Sequence, residues 1–395
     1  MVTTQGKGCL TMVLLALLTL YGGAAMATSA PPPPTVKAKG WVLMDAQSGQ
    51  VLAEHDPDIE LPPASLTKMM TMYLAFEDLE LGRLQPDEQV TVSTKAWKMG
   101  GSRMFIEPRH KPSVKELIHG ISTLSGNDAS VALAEHIAGT EEAFADRMNQ
   151  KALEMGLEHS HFVNATGFPA KNHYSSPKDM AILGAALARD FPERYKLFGE
   201  KGFTYNDITQ SNRNRLLWSD PRVDGIKTGH TDKAGYCLVS SAELNGLRLV
   251  AAVFGADSEK AREQQSRLLL NFGFRNFVAV RPTERELRRK VEVFEGEDDE
   301  VTLLPAKRVW ITVPKGKENH VAFRLRYEAP LKAPIAKGEN LGTVEAVLMD
   351  GKQIIEVLAS VDMQAAKEVP QASWFGRQWD GVRLWWRDKE AEESE

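Results

Sequence analysis

The chain has very little cysteine, with only Cys9 and Cys237 among its 395 residues. Cys9 falls in a segment that we expect to be cleaved off, so the mature chain would keep one thiol and form no internal disulfide. Cys237 lies in the apolar run Tyr-Cys-Leu-Val-Ser, which indicates a buried strand residue rather than a nucleophile. We therefore expect neither disulfides nor thiol chemistry.

A strong charge of one sign is also lacking, since 48 basic and 53 acidic residues leave a net charge of -5. This balance is not typical of a nucleic-acid-binding protein, and a 43% hydrophobic content is too high for a disordered chain. His159 and His161 lie two positions apart, but no third ligand accompanies them at a recognisable spacing. We expect no metal and no cofactor.

Apolar runs long enough to span a membrane are lacking as well. The run at residues 10–21 is shorter than the about 18 residues that a spanning helix needs. Lys7 precedes it, and Ala25 and Ala27 place small residues at the -3 and -1 positions of a cleavage site. The pattern predicts a secretory signal peptide over residues 1–27, followed by a Pro-rich spacer over residues 28–38.

The stretch from Pro62 to Phe76 carries the first candidate chemistry. Its two prolines end any preceding helix or strand, and the absence of further Gly or Pro predicts a helix that begins near Ser65. Ser65 and Lys68 would then share one face of the first turn. An amine next to a serine hydroxyl can take its proton if burial or a nearby cation lowers the pKa of the amine.

Two further motifs follow in order, Ser125-Gly126-Asn127 and Lys227-Thr228-Gly229. Ser-x-x-Lys, Ser-x-Asn and Lys-Thr-Gly in this order are the signature of penicillin-binding proteins and serine β-lactamases. Ser175-Ser176-Pro177-Lys178 also fits the first motif, but its Ser-Pro pair indicates an ordinary helix cap.

Hydrophobic periodicity divides residues 39–280 into a helical middle and strand-rich ends. The predicted elements are a hairpin at 41–54, helices at 113–139 with a break at the second motif, at 141–155, 177–189 and 258–272, and strands at 235–242 and 247–255 joined by Asn245-Gly246. Strands at both ends predict an α+β domain whose sheet joins its N- and C-terminal segments.

From residue 282 the pattern changes to alternation. Val321, Phe323, Leu325 and Tyr327 alternate with other residues, and residues 343–349 and 354–361 are further strand candidates. This predicts a small antiparallel, sandwich-like β domain over residues 282–365, without catalytic groups.

The tail, residues 372–395, is rich in tryptophan. On a helical projection one face, about 140° wide, carries Trp374, Phe375, Trp379, Val382, Trp385 and Trp386. Such a face suits the interfacial zone of a bilayer. A helix packed on its own protein, or a contact in a homodimer, is the alternative, and the acidic end Glu390–Glu395 opposes binding to anionic lipid.

The sequence resembles the low-molecular-mass penicillin-binding proteins that act as serine D-alanyl-D-alanine carboxypeptidases, the peptidase S11 family. The likeness covers nearly the whole chain after the signal peptide and includes Ser211–Trp218, Val223–Thr231 and the hairpin from Ala234 to Ala242. It implies a penicillin-binding/β-lactamase-like transpeptidase fold, in which an antiparallel sheet joins a helical cluster, followed by the small β domain and the amphipathic tail helix.

The resemblance also implies a site. Ser65 would be the acylated nucleophile, Lys68 its general base, and Ser125 a proton relay to the departing amine. The implied substrate-binding groups are Asn127 on the substrate amide, Lys227, Thr228, Gly229, Arg213 and Arg262 near the terminal carboxylate, and backbone N–H groups of Ser65 and His230 as an oxyanion hole. The His230 side chain itself is expected to shape the strand edge rather than to act as an acid or base.

The implied protein removes the terminal D-Ala from peptidoglycan stem peptides and is acylated by β-lactam antibiotics. It would lie in the periplasm, attached by its tail to the outer face of the inner membrane. A serine β-lactamase shares the acylation apparatus, although no obvious glutamate base follows Ser125-Gly126-Asn127. A β-lactam-binding wall scaffold without turnover is the third reading.

Overall fold

The computed structural model describes residues 31–393, so the predicted signal peptide lies outside the described residues. A first domain of sheet and helices precedes an all-β domain and a C-terminal helix, as the sequence predicted. The first domain contains β1 (Gly40–Asp45), β2 (Val51–His55), α1 (Lys68–Glu80), α2 (Thr94–Trp97), α3 (Val114–Leu124), α4 (Asn127–Ala138), α5 (Glu141–Glu154), α6 (Pro177–Asp190), α7 (Pro192–Tyr195), β3 (Gly202–Tyr205), β4 (Ile208–Ser211), α8 (Leu216–Ser219), β5 (Val223–Thr231), β6 (Gly235–Leu244), β7 (Leu247–Ala256) and α9 (Glu259–Asn276).

The remaining elements are β8 (Phe277–Val280), α10 (Glu284–Leu287), β9 (Arg289–Phe294), β10 (Glu300–Pro305), β11 (Ile311–Pro314), β12 (Val321–Arg326), β13 (Leu331–Lys332), β14 (Asn340–Asp350), β15 (Gln353–Ala365) and α11 (Trp374–Glu393). Short 3-10 turns lie at Ala64–Thr67, Lys196–Gly199 and Glu318–His320.

The sheet of the first domain is antiparallel, in the order β2-β1-β7-β6-β5. β1 pairs with β7, which confirms that the sheet joins the two ends of the domain. The helical cluster covers one face of the sheet, and α9 covers the other through Leu269 and Leu270. Cys237 is fully buried in β6, as predicted. Since β5 lies at the edge of the sheet, the Lys-Thr-Gly motif lies at a border between sheet and helices.

The second domain is a six-stranded sheet in the order β12-β14-β15-β10-β9-β13, accompanied by the two-stranded sheet β11-β8. The edge strand β13 pairs with β9 in parallel, so the six-stranded sheet is mixed and not wholly antiparallel as predicted. Their buried side chains form one core, with Val293, Leu303 and Met363 at its centre. The two domains are joined by a buried hydrogen bond, in which the Thr312 hydroxyl donates to the Asp45 carboxylate at 2.7 Å.

The C-terminal helix α11 is fastened to β9 by its polar face. The buried carboxylate of Asp380 accepts a hydrogen bond from the Glu295 N–H at 2.6 Å, and Arg383 forms ion pairs with Glu292 at 2.6 Å and Asp299 at 3.3 Å. The other face is exposed over Trp374, Phe375, Trp379, Val382 and Trp385. The side chain of Trp386 lies outside the described residues. Over residues 31–393, no helix combines the length and apolarity required to cross a membrane.

Candidate active site

Ser65 lies in the 3-10 turn Ala64–Thr67, and α1 begins only at Lys68, three residues later than predicted. Two glycines from distant segments let other backbones approach this turn. A Cβ at Gly229 of β5 would lie 2.9 Å from the Pro63 carbonyl oxygen, and one at Gly167 would lie 1.7 Å from the Ala64 carbonyl oxygen. The 3-10 turn thus packs between β5 and the loop that carries Gly167. Both come this close only because they have glycine at the point of contact.

The amine of Lys68 is fully buried and has three polar neighbours. Its Nζ lies 3.1 Å from Ser65 Oγ, 2.7 Å from Asn127 Oδ1 and 2.5 Å from the Thr166 carbonyl oxygen. Burial, reinforced by the positive charge of Arg213, lowers the pKa of Lys68 to about 7. A large share of the amine is therefore neutral near neutral pH.

The second motif forms the turn between α3 and α4, which confirms the predicted break. Ser125 has the left-handed backbone conformation, with φ 62°, and Asn127 begins α4. The Ser125 hydroxyl is buried and has no hydrogen-bond partner among the described residues. Both ends of the Asn127 amide are engaged, since Oδ1 accepts from Lys68 and Nδ2 donates to the Gly100 carbonyl at 2.8 Å.

Asp128, which the sequence reasoning missed, holds the loop over residues 100–106 against α4. Its buried carboxylate accepts hydrogen bonds from the N–H groups of Met104, Phe105 and Ile106 at 2.8, 2.7 and 3.2 Å. A carboxylate that accepts several backbone bonds fixes a loop which has no regular structure of its own.

The third motif lies in β5. Lys227 and Thr228 are buried, whereas His230 is exposed and stacks on Tyr236 with ring centroids 4.1 Å apart. Burial and the charges of Lys68, Arg213 and Arg262 hold the pKa of Lys227 well below its ordinary value. A positive charge on Lys227 and one on Lys68 therefore disfavour each other.

The structure separates the two predicted arginines. Arg213 is exposed in the turn after β4, where buried Asn212 and Asn214 fix the backbone on both sides; Asn214 Nδ2 donates to the Gly225 carbonyl at 3.0 Å. Arg262 is buried on α9 behind β5, with its guanidinium 3.5 Å from the Gly229 carbonyl oxygen. Arg213 faces the cleft at Ser65, and Arg262 contacts the strand that carries the third motif.

A cleft of about 280 Å³ opens at Ser65, and its walls are Ser65, Gly101, Ser102, Asn127, Thr166, Gly167, Phe168, Arg213, His230 and Thr231. Sequence reasoning missed the walls at 101–102 and 166–168. Asn164 shapes the second of them, because its Oδ1 accepts from the N–H groups of Thr166 and Gly167 at 3.1 and 2.7 Å. Asn-Ala-Thr-Gly is a local turn signal that could have revealed this loop.

This arrangement defines a class of enzyme. A serine hydroxyl beside a buried amine of lowered pKa, in a cleft that also contains arginine, is suited to acyl transfer from a substrate that bears an anion. Serine hydrolases with a lysine base have these features.

Comparison with known proteins narrows the class. Residues 25–258 match the family model of D-alanyl-D-alanine carboxypeptidase, and residues 283–371 match the C-terminal domain of penicillin-binding protein 5. The chain therefore belongs to the D-alanyl-D-alanine carboxypeptidase family, whose members react through a serine acyl-enzyme.

Individual relatives agree. The chain is 42% identical over 362 residues to the D-alanyl-D-alanine carboxypeptidase DacA of Haemophilus influenzae, covering 89% of this chain and 90% of the relative. Crystal structures of penicillin-binding protein 5 from Haemophilus influenzae match with a TM-score of 0.81 and 41% identity, over 86% of this chain and 100% of that one. Penicillin-binding protein D2 from Listeria monocytogenes in the ampicillin-bound form matches with a TM-score of 0.57 and 29% identity, over 62% of this chain and 100% of that one.

Proposed function

We propose that this protein is a serine D-alanyl-D-alanine carboxypeptidase that removes the terminal D-Ala of peptidoglycan stem peptides through an ester on Ser65. The observation that carries this proposal is the pair formed by Ser65 Oγ and Lys68 Nζ, 3.1 Å apart, in which the pKa of the amine is lowered to about 7. Such an amine can take the hydroxyl proton near neutral pH.

In the acylation step, Ser65 Oγ attacks the carbonyl carbon of the penultimate D-Ala while its proton passes to Lys68. The bond between that carbon and the terminal amide nitrogen breaks. The buried hydroxyl of Ser125 gives its proton to the departing amine and regains one from Lys68, so that Lys68 is neutral again. The backbone N–H groups of Ser65 and His230 would stabilise the oxyanion. Water then attacks the carbonyl carbon of the ester and gives a proton to the neutral Lys68. The bond from that carbon to Ser65 Oγ breaks, and Lys68 passes the proton to Oγ.

The substrate ends in a carboxylate, and the site supplies cations for it. Arg213 lies in the cleft wall, Lys227 and Thr228 lie in β5, and Arg262 acts on the substrate side only through the Gly229 backbone that it contacts. A bound carboxylate offsets the burial and the repulsion that lower the pKa of Lys227, so that Lys227 is charged in the complex and Lys68 remains neutral. Fixing the anion orients the neighbouring amide for attack.

We further propose that the protein is exported to the periplasm and bound to the outer face of the inner membrane by α11. The exposed aromatic face of α11, with Trp379 68% and Phe375 79% exposed, supports an interfacial helix. Deleting residues 373–395 should release a soluble, active enzyme from membrane pellets. Unchanged sedimentation of the deleted form would argue against this attachment.

The enzymatic proposal is tested with residues 28–395, wild type and Ser65→Ala, incubated with a peptide ending in L-Lys-D-Ala-D-Ala. Free D-Ala should appear with the wild type alone. Rapid hydrolysis of penicillin without release of D-Ala would identify a serine β-lactamase, and inertness towards both would identify a wall scaffold. β-Lactams should acylate the wild type and leave Ser65→Ala unlabelled.

A further inference from the structure

A second cleft lies at the junction of the two domains, away from Ser65. It has a volume of about 910 Å³. The first domain contributes residues 46–49 between β1 and β2, the end of α6, and Arg248; the second contributes residues 307–310 and 358–361. A neighbouring cleft of about 690 Å³ lies against residues 281–287 and 304–310, so residues 307–310 form a wall of both.

The charged side chains in the wall of the larger cleft are all cationic, namely Arg189, Arg248, Lys307 and Arg308. The first two are neutralised, because Arg189 pairs with Asp190 and Arg248 with Asp224, each at 2.7 Å. Lys307 and Arg308 are exposed, and no carboxylate within residues 31–393 forms an ion pair with either. Two adjacent free cations thus face both clefts.

The same wall offers contacts for a neutral ring. Trp310 is half-buried between the domains, and the guanidinium of Arg281 covers one face of its ring at 4.4 Å from the centroid, so only the remaining exposed part of the indole can meet a ligand. Across the cleft, Gln47 Oε1 is buried without a hydrogen-bond partner among the described residues. An unsatisfied buried acceptor of this kind suits a ligand that brings a hydroxyl or amide N–H.

The floor of the cleft is rigid before any ligand binds. The buried carboxylate of Asp45 accepts from the Gln47 N–H at 3.1 Å, the Ser48 hydroxyl at 2.6 Å and the Thr312 hydroxyl of the other domain at 2.7 Å. The turn that carries Gln47 is therefore held in place relative to residues 307–312, which lowers the conformational cost of binding.

We infer that this cleft is a second binding site for the glycan backbone of peptidoglycan, at stretches where amino sugars have lost their stem peptides and carry free carboxylates. Lys307 and Arg308 match its carboxylates, and Trp310 and Gln47 match its sugar rings with their hydroxyl and amide groups. The inference rests on the proposed function, because the glycan is the polymer to which the stem peptides are attached.

The position of the cleft in the molecule fits a glycan strand better than a lipid headgroup. The pairing of β5, β6, β7 and β1 aligns Thr228 with Leu238, Val253 and Trp41. Trp41 is three strand spacings away from Thr228 across the sheet, and Asp45 is four residues further along β1. The cleft begins next to Asp45, and the third motif lies beside Ser65, so the cleft is on the order of 20 Å from the catalytic serine. The tail helix contacts Asp299, at the opposite end of β10 from Lys307, about 20 Å away. The contact that holds α11 is therefore remote from the cleft, which favours a glycan over a lipid headgroup as its ligand.

The test uses residues 28–395 as wild type, as Lys307→Ala/Arg308→Ala, and as the matched control Lys337→Ala/Lys352→Ala. The control also removes two positive charges from the second domain, but its two lysines are exposed and lie outside both clefts. Peptide-free glycan strands are titrated for binding. The release of D-Ala is then compared between free pentapeptide and pentapeptide attached to strands that also contain peptide-free sugars.

We expect the wild type and the control to bind strands alike and the cleft variant to bind at least about tenfold more weakly. KM for strand-attached peptide should rise by a similar factor in the cleft variant, with kcat and all values for free peptide unchanged. Equal weakening in the control, or equal strand binding by all three proteins, would overturn the inference. A third result would also overturn it: phosphatidylglycerol vesicles bind the wild type but not the cleft variant, and glycan strands bind none of the three proteins. Failure of the proposed function appears separately, as no release from free pentapeptide by the wild type.

Discussion

The loop that carries Gly167 offers a sharp test of how the site is built. Gly167 has φ +85°, and a Cβ there would lie 1.7 Å from the Ala64 carbonyl oxygen, next to the nucleophile. Real Cβ atoms essentially never lie within 3.0 Å of another heavy atom, so Gly167→Ala must separate the two backbones by about 1.3 Å. The movement shifts the adjacent Thr166 carbonyl, which accepts from Lys68, or the turn that carries Ser65.

A misplacement of about 1 Å costs on the order of 100-fold in rate, and we expect the acylation rate of Gly167→Ala with a fluorescent penicillin to fall by at least that much. The positive φ adds about 1 to 3 kcal/mol of strain to the folded state. Gly156→Ala is the matched control, because Gly156 has φ +69° and no atom within 4 Å of its added Cβ. It has the same kind of strain without the clash, so it should lose about 1 to 3 kcal/mol of stability and acylate normally. A folded Gly167→Ala protein that acylates within threefold of wild type would refute this reasoning.

Three more predictions follow from contacts already described. Because the pKa of Lys68 is lowered to about 7, the neutral amine increases with pH, and kcat/KM should rise roughly tenfold per unit below that value and level off above it; a flat profile across neutrality would contradict a lysine base. Asp128→Ala leaves the N–H groups of residues 104–106 without their acceptor and should lower the unfolding free energy by about 2 to 4 kcal/mol in urea titrations, with Asp128→Asn less affected. Asp380→Ala should speed hydrogen exchange in α11 without changing acylation, and unchanged protection would show that Asp380 does not fasten the helix.

The sequence predicted those parts of the molecule that local pattern determines. Ser65 and Lys68 lie three residues apart, and the break at Ser125-Gly126-Asn127 follows from turn-forming residues, so both were predictable. The 3-10 turn at Ser65 was not, because it depends on Gly167 and Gly229, which approach it from about 100 and 160 residues away along the chain.

The walls of the cleft escaped prediction for a related reason. Residues 100–106 and 164–168 have neither helical nor strand period, and their shape comes from side chains that bind backbone, chiefly Asp128 and Asn164. Polar contacts of this type are local in space and remote or irregular in sequence. The position of Arg262 behind β5 was also not predictable, because it depends on how α9 packs against the sheet and not on any motif.

The neighbours of the Lys68 amine also determine the direction of the first proton transfer. A neutral amine has two hydrogens and one lone pair. The Thr166 carbonyl and Asn127 Oδ1 can only accept, and at 2.5 and 2.7 Å they take both hydrogens. The lone pair is then left for the remaining neighbour, the hydroxyl of Ser65 at 3.1 Å. By this count of donors and acceptors, the neutral amine can only accept a proton from Ser65. The direction of the transfer is thus determined by two oxygens, of Thr166 and Asn127, that take no part in breaking the scissile bond.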